Sequence, residues 1–540
     1  LKLHLPRRRF LEAAGCVAVA APRWRAFADA PSQIIVGLAQ EPTVFHPLLP
    51  HIEVDDGVHM NLFSPLWSID AKGAFVPDLA ENVPDQNNGG VSADGLTWRV
   101  KLRGNAFWHD GRPVTAADVV FTFETLLDPS FPAYSRKGFE FIEHVEQTGP
   151  LELTWRMRKP YAPFHAILAS AMIVPAHLLK GVSDTTAFTS KPVGSGPFMW
   201  DERIPSDHIR LRANQHWHLG RAGVDYAIIR YIPDVTVMFT QFETGEIDYL
   251  GMPGIPPNRY RQALTLPGRQ VFRAPQPFVE SIAINMARPQ FHDIVVRQAI
   301  YTAIDKQGIL ETLFENIESD TESFLPSQSS YYNPDLPKQK FDPQAAAESL
   351  DRAGWRRRLG GVRARDGVKL EFVNATTSGN ALRQQVQEVI QQNLADIGII
   401  MRIENRPAAV MWGGYWSQSR FDTALVSVDF MTGSDPDASS YFTSDASPAR
   451  GGAGQNVFQL ADSRIDSLFL KANASFDHET RLSYYRSIQS LVRTDLPFLP
   501  LYQQSNVEGV RSGLTGFESN VNVRSNLWNL ARWRWTAPPQ

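Results

Sequence analysis

The sequence predicts an α/β fold of more than one lobe, on three observations. Short apolar strand patterns alternate with amphipathic helix patterns along the chain. Proline and glycine punctuate the boundaries between them. The 540 residues, 43% of them hydrophobic, suffice for roughly two to four domains with buried cores.

Residues 1–28 stand apart from that pattern. A basic start, an Ala/Val-rich middle and Ala26-Phe27-Ala28 before Asp29 have the plan of an export signal. Arg7-Arg8-Arg9-Phe10-Leu11 resembles the core of a twin-arginine signal. Cleavage after Ala28 would remove six basic residues and one acidic residue, and with them Cys16, the only cysteine. Ala13-Ala14-Gly15 lacks the leucine of a lipidation site at Cys16. The mature chain is then acidic and free of thiols. That excludes a disulfide framework and a thiolate metal site, and argues against nucleic acid or anionic membranes as partners.

The elements follow in order. Residues 33–40, "QIIVGLAQ", read as a buried opening strand. In 95–103, Leu96, Trp98, Val100 and Leu102 alternate with polar residues, a half-buried strand after the turn pair Asp94-Gly95. Residues 151–158 and 224–232 give two more strands. Asp342-Pro343 and Gly354 bracket one helix, and Gly398 closes another that carries Val386, Ile390 and Leu394 on one face. Residues 478–493 give a third, and "NLWNLARWRW" reads as a final strand packing its aromatics.

The stretch 108–123, "WHDGRPVTAADVVFTF", places His109 beside Asp110, which raises the question of an acid–base pair. A structural role is available for every residue. Asp110-Gly111 makes a turn, Thr115 caps a helix and Asp118 reaches back as in a capping box. No nucleophile or metal partner accompanies the pair, and neither Gly-x-Ser-x-Gly nor His-Glu-x-x-His occurs. "GSGPF" (194–198) lacks the Lys-Ser/Thr ending of a phosphate loop and reads as a tight crossover between lobes. The histidines are scattered, with His216-x-His218 the only close pair, so no metal site and no cofactor is expected.

With these motifs in hand, the chain resembles the extracytoplasmic solute-binding proteins of the dipeptide/oligopeptide/nickel class, solute-binding protein family 5, which serve ATP-driven importers. The resemblance rests on Pro77-Asp78-Leu79-Ala80-Glu81, Asp94-Gly95-Leu96-Thr97-Trp98, Trp108-His109-Asp110-Gly111-Arg112-Pro113, "KPVGSGPFMW" (191–200), "GEIDYL" (245–250) and "INMARPQFHDIVVRQAIYTAID" (284–305). Trp108 replaces the family's usual Phe.

The resemblance implies an α/β, two-lobed periplasmic-binding-protein fold (type II, cluster C-like) with an extra subdomain on lobe I. Lobe I would hold 29–71, 193–276 and 505–540, the inserted subdomain 72–192, and lobe II 277–504. It further implies a monomeric, non-catalytic periplasmic receptor that captures a peptide-like solute in the interlobe cleft and delivers it to membrane permease subunits. The alternatives are a non-peptide cargo (nickel chelate, opine or oligosaccharide) and an exported hydrolase. Ligand contacts are expected from His46 in "EPTVFHPLL", from Trp412, Tyr415 and Trp416, and from Asp429 or Asp435. Peptide binders of the family carry an amine-pairing Asp that gapless counting puts at Met431, so Asp429 or Asp435 takes that role only if the loop shifts. Phe278 and Asn285 flank the presumed second crossover, and Arg406 reads as a surface residue.

Overall fold

A computed structural model describes residues 32–358, 360–429 and 434–536. The segment 1–28 expected to be an export signal, Cys16 and Met431 lie outside the described residues.

One mixed sheet of eleven strands runs through the molecule. Its strands here are β1 (Gln33–Leu38), β2 (Phe198–Ile204), β3 (His208–Ala213), β4 (Tyr226–Tyr231), β5 (Tyr249–Leu250), β6 (Arg269–Ile284), β7 (Glu371–Ala375), β8 (Ile400–Ile403), β9 (Thr423–Asp429) and β10 (Phe498–Arg511). Their order is β8-β7-β9-β6-β10-β5-β1-β4-β3-β2, and the short pair Ser319–Asp320 attaches to β10. The 16-residue β6 and 14-residue β10 lie side by side, antiparallel, and carry the chain from one half of the sheet to the other. Their register breaks between Pro275 and Val279, where prolines 275 and 277 supply no amide donor.

The half containing β1 shares one core with residues 72–192, which add a three-stranded antiparallel sheet (Thr97–Lys101, Ile142–Gly149, Glu152–Met157) and α2 (Ala116–Leu127). Trp98, Phe123, Trp155 and Phe164 are fully buried there. Each such ring contributes roughly 1.5–3 kcal/mol over an exposed one. In the other half, cores on both faces of β7, β9 and β6 are covered by α3 (Ala381–Asp396), α4 (Ser463–Ala474) and α5 (His478–Asp495).

The expected caps are present. Asp118 accepts from the Thr115 amide at 2.9 Å, Asp342 from that of Ala345 at 2.8 Å, and Asp477 from that of Thr480 at 2.8 Å. His109 is structural: its Nδ1 accepts from the Gly194 amide and its Nε2 donates to the Gly196 carbonyl, both at 3.1 Å. Asp110 turns away to His177 at 2.7 Å. His218 is likewise paired, with Asp78 at 2.7 Å.

Two expectations are corrected. "GSGPF" does not cross between lobes; it leads from the 72–192 segment into β2. It is tight because a Cβ on Gly194 would stand 1.7 Å from the Leu62 carbonyl oxygen. The C-terminal aromatic run is mostly not a strand. Leu530–Arg532 form a 3-10 turn, and only Arg534–Trp535 pair, with Leu514–Thr515. Trp533 instead fills the core against Tyr249 and Phe517.

The two halves also meet away from β6 and β10. The Ala162 amide donates to the Asn473 carbonyl at 2.8 Å, and Phe476 packs edge-on to Trp98. Asp437, buried, accepts from the Tyr161 hydroxyl at 2.6 Å and pairs with Lys137 at 3.3 Å.

Candidate ligand-binding site

The site is built on α1 (Glu53–Leu62). Asp55 anchors it: one carboxylate oxygen accepts the Ile52 amide at 3.0 Å and the other the Thr43 and Val44 amides. The helix start and the loop before it are thus held by one buried side chain. Asn61 ties the far end to the Gly57 and Leu527 carbonyls.

Beside α1 lies a cavity of about 340 Å³ between the two halves of the molecule. Leu48, Met60, Leu126, Ile167 and Met172 supply apolar wall, and Pro277 and Asp429 close it from the β6 and β9 side. Its polar lining includes His51, Asp56, His59, Lys137, Asp429 and Arg524. An apolar enclosure with a few charged groups suits a small zwitterionic or amphiphilic ligand.

The charges form a connected set. Asp56 takes His51 Nε2 on one oxygen at 3.0 Å and Arg524 Nε on the other at 2.8 Å. Tyr134 stacks on the His51 ring with centroids 4.3 Å apart. Burial works against a charged His51, but the hydrogen bond and charge of Asp56 outweigh it and raise its pKa above the ordinary value. Burial raises the Glu53 carboxyl, with Arg524 opposing and the charges of Asp56 and Asp429 adding to the rise. His59, deeper in, is pushed down to about 4 by burial and the charge of His51.

A small recess next to the cavity shares Val523 and Arg524 with it and reaches Glu53 and Glu508. Glu508 accepts from the Tyr249 hydroxyl and the Asn526 amide, both at 2.7 Å, and burial pushes its pKa up to about 7.

Of the residues singled out from sequence, the structure brings Asp429 to the cavity wall. His46 is not at the cavity wall: its ring is buried between Phe131 and Phe188, its Nδ1 accepts the Leu48 amide, and Pro47 and Leu48 face the cavity. The aromatic trio is also placed elsewhere. Trp416 stacks on Phe421 in the core, Tyr415 packs under Arg406 with the guanidinium 4.2 Å from its ring centre, and Trp412 is 44% exposed beside Trp416. Asp435 is buried in an ion pair with Arg481 at 2.5 Å, inside the β9 half. Asn285 is consumed by the Ser419 and Phe421 carbonyls.

Sequence reasoning missed His51, Asp56, His59 and Arg524. The histidines are not scattered in space: one ligand atom each of His51, Asp56 and His59 lies within 4.8 Å of the others. A signal existed in "HIEVDDGVHM", where Asp56 and His59 are three residues apart and so share a helix face.

The model for bacterial extracellular solute-binding proteins, family 5 Middle, matches residues 74–452. The oligopeptide-binding protein AppA of Bacillus subtilis is 26% identical over 521 residues, 93% of this chain and 91% of that protein. The dipeptide-binding protein of Escherichia coli is 24% identical over 469 residues, 82% and 83% of the two chains. Among solved structures, AppA in complex with a nonapeptide superposes with a TM-score of 0.74 at 25% identity, covering 94% of this chain and all of AppA. NikZ of Campylobacter jejuni in complex with Ni(L-His) gives 0.75 at 25% identity, covering 93% and 99%.

Proposed function

The chain belongs to the family 5 bacterial extracellular solute-binding proteins and is a substrate-binding receptor of that kind; from that premise we propose that its cargo is a short peptide-like solute, held in the cavity beside α1 and handed to the permease of an ABC importer. One observation carries the choice of cargo: the cavity sets a carboxylate, Asp429, and a guanidinium, Arg524, into walls that are otherwise largely apolar. A peptide presents an ammonium, a carboxylate and apolar side chains. Charge-assisted hydrogen bonds then fix its ends, and burial of its side chains adds affinity. The complex of AppA with a nonapeptide supports this reading.

We assign lobe I to 29–71, 193–276 and 505–540, its inserted subdomain to 72–192, and lobe II to 277–504. The register break after Pro275 and the core shared by 72–192 with β1 support these boundaries. Closure of the lobes hides the cargo from water, and the Lys137 and Tyr161 contacts to Asp437 fit a closed state. The receptor works as a monomer and leaves its cargo chemically unchanged. Among the described residues no helix is long and apolar enough to cross a membrane. We read residues 1–28 as a twin-arginine export signal; export that persists in cells lacking the twin-arginine translocase overturns this.

Native mass spectrometry on protein purified without refolding tests the cargo. A series of added masses spaced like amino-acid residues, released intact on denaturation, is the expected result. A single non-peptide mass overturns the peptide reading and leaves the receptor role in place.

A further inference from the structure

We infer that His51, Asp56 and His59 form a site for a divalent late transition-metal ion in the wall of the cargo cavity. All three line that cavity, and one ligand atom of each lies within 4.8 Å of the others.

The hydrogen bonding around the two rings favours metal ligation. His51 Nδ1 lies 2.7 Å from the Leu49 carbonyl, which can only accept, so Nδ1 carries a hydrogen. Its Nε2 faces Asp56 Oδ1, which only accepts, 3.0 Å away, so without metal a proton on Nε2 bridges them, and a bound metal ion would take that proton's place. Two acceptors at that distance need a proton or a cation between them. His59 repeats the arrangement: its Nε2 donates to the Val44 carbonyl at 2.7 Å and leaves Nδ1 as a lone pair. A backbone carbonyl on the non-ligating nitrogen is the usual support of a metal-bound histidine, because it fixes the tautomer and ring orientation. Arg524 holds the second oxygen of Asp56 at 2.8 Å and so aims the first at His51. The rings themselves meet edge to face, 4.8 Å between centroids.

Two imidazoles and one carboxylate select an ion of the zinc, nickel, cobalt or copper class over calcium or magnesium. Three protein ligands leave at least one position facing the cavity, as in sites that exchange a bound molecule. Bonds of about 2.0–2.2 Å put tetrahedral ligand atoms about 3.3 Å apart, so binding draws the three together by up to about 1.5 Å. The positive charge of Arg524 opposes the ion, while Asp56, Glu53 and Asp429 favour it. The inference does not depend on the peptide reading, since metal can occupy the wall whatever the cargo.

Cobalt(II) chloride is the probe, added to the purified chain and followed by its visible d–d absorption and by calorimetry. The expected result is one cobalt per chain. His51→Ala and Asp56→Asn should each weaken binding by about 10- to 100-fold or more, at least the loss seen for outer-shell changes. His208→Ala, at a ring that pairs with Asp207 and Glu202 away from the cavity, should bind as the parent does. Circular dichroism and melting curves confirm that each variant is folded; His51 is the first target because His59 is more deeply buried and its loss threatens folding. No stoichiometric uptake at millimolar cobalt overturns the site, as does uptake undiminished in both folded variants. Peptide binding measured on the same samples separates failure of the metal site from failure of the peptide reading.

Discussion

Two regions of the molecule gather aromatic rings and buried charges, and they use them differently. Beside α1, His51, Asp56, Arg524 and Tyr134 form a chain of contacts that faces a cavity. In the β9 half, Asp435, Arg481, Tyr331 and Tyr485 form one that is buried and does not line the cavity. Arg481 pairs with Asp435 at 2.5 Å, donates to the Tyr331 hydroxyl at 3.1 Å and to the Ala472 carbonyl at 3.0 Å, and lies over both tyrosine rings. The lesson is that charge and aromaticity do not mark a binding wall. What marks it is that the charged groups face a cavity.

The largest test of this contrast falls on the buried cluster. Arg481→Met leaves Asp435 buried without its partner, which should cost about 3–5 kcal/mol in chemical denaturation while the folded fraction binds cargo normally. A matching loss of cargo affinity would erase the distinction between the regions.

Glu508, at the recess beside the cavity, offers a pH test. Its folded pKa is raised by burial from 4.5 to about 7, so the fold favours the neutral acid. That contribution is complete below pH 4.5 and is lost as pH rises through about 7. The span corresponds to about 3 kcal/mol. Glu508→Gln should flatten the melting temperature against pH over that window; an unchanged slope would show that Glu508 ionises freely.

Asp429→Asn keeps the shape of the cavity wall and removes a charge. It should weaken a peptide cargo about 10- to 100-fold by calorimetry, the worth of one charge-assisted hydrogen bond. Unaltered affinity would move cargo recognition away from the β9 end. The smallest effect is expected at Trp412, which is 44% exposed on the flank of the β9 half. Trp412→Ala should shift stability by less than about 1 kcal/mol and leave cargo affinity unchanged.

The strands and helices were legible because each shows its period and its caps locally. Trp98 and Val100 are buried on one side of their strand, and Asp342 and Asp118 cap where turn chemistry places them. The final aromatic run misled because its alternation reflects Trp533 entering a core built by Tyr249 and Phe517, not strand pairing. Asp429, a candidate from sequence only if its loop shifts, stands at the end of β9 on the cavity wall. His46 and His51 both follow β1, and only the loop's path decides which ring meets Phe131 and Phe188 and which meets Asp56. Arg524 arrives from 468 residues away to pair with Asp56, a juxtaposition that no local spacing encodes.

The interruption in the β6–β10 ladder also has a mechanical meaning. Three residues, 276–278, stand opposite one, Gln504, between the pairs Pro275–Ser505 and Val279–Gln503. Stiffness along a two-stranded ribbon comes from its cross-links, so compliance concentrates where they are missing. Because both covalent connections lie adjacent and antiparallel, bending at that point has a single soft axis, like a folded card scored along one crease. Gln503, whose side chain donates to the Gln276 carbonyl at 3.0 Å, ties the crease across its open stretch.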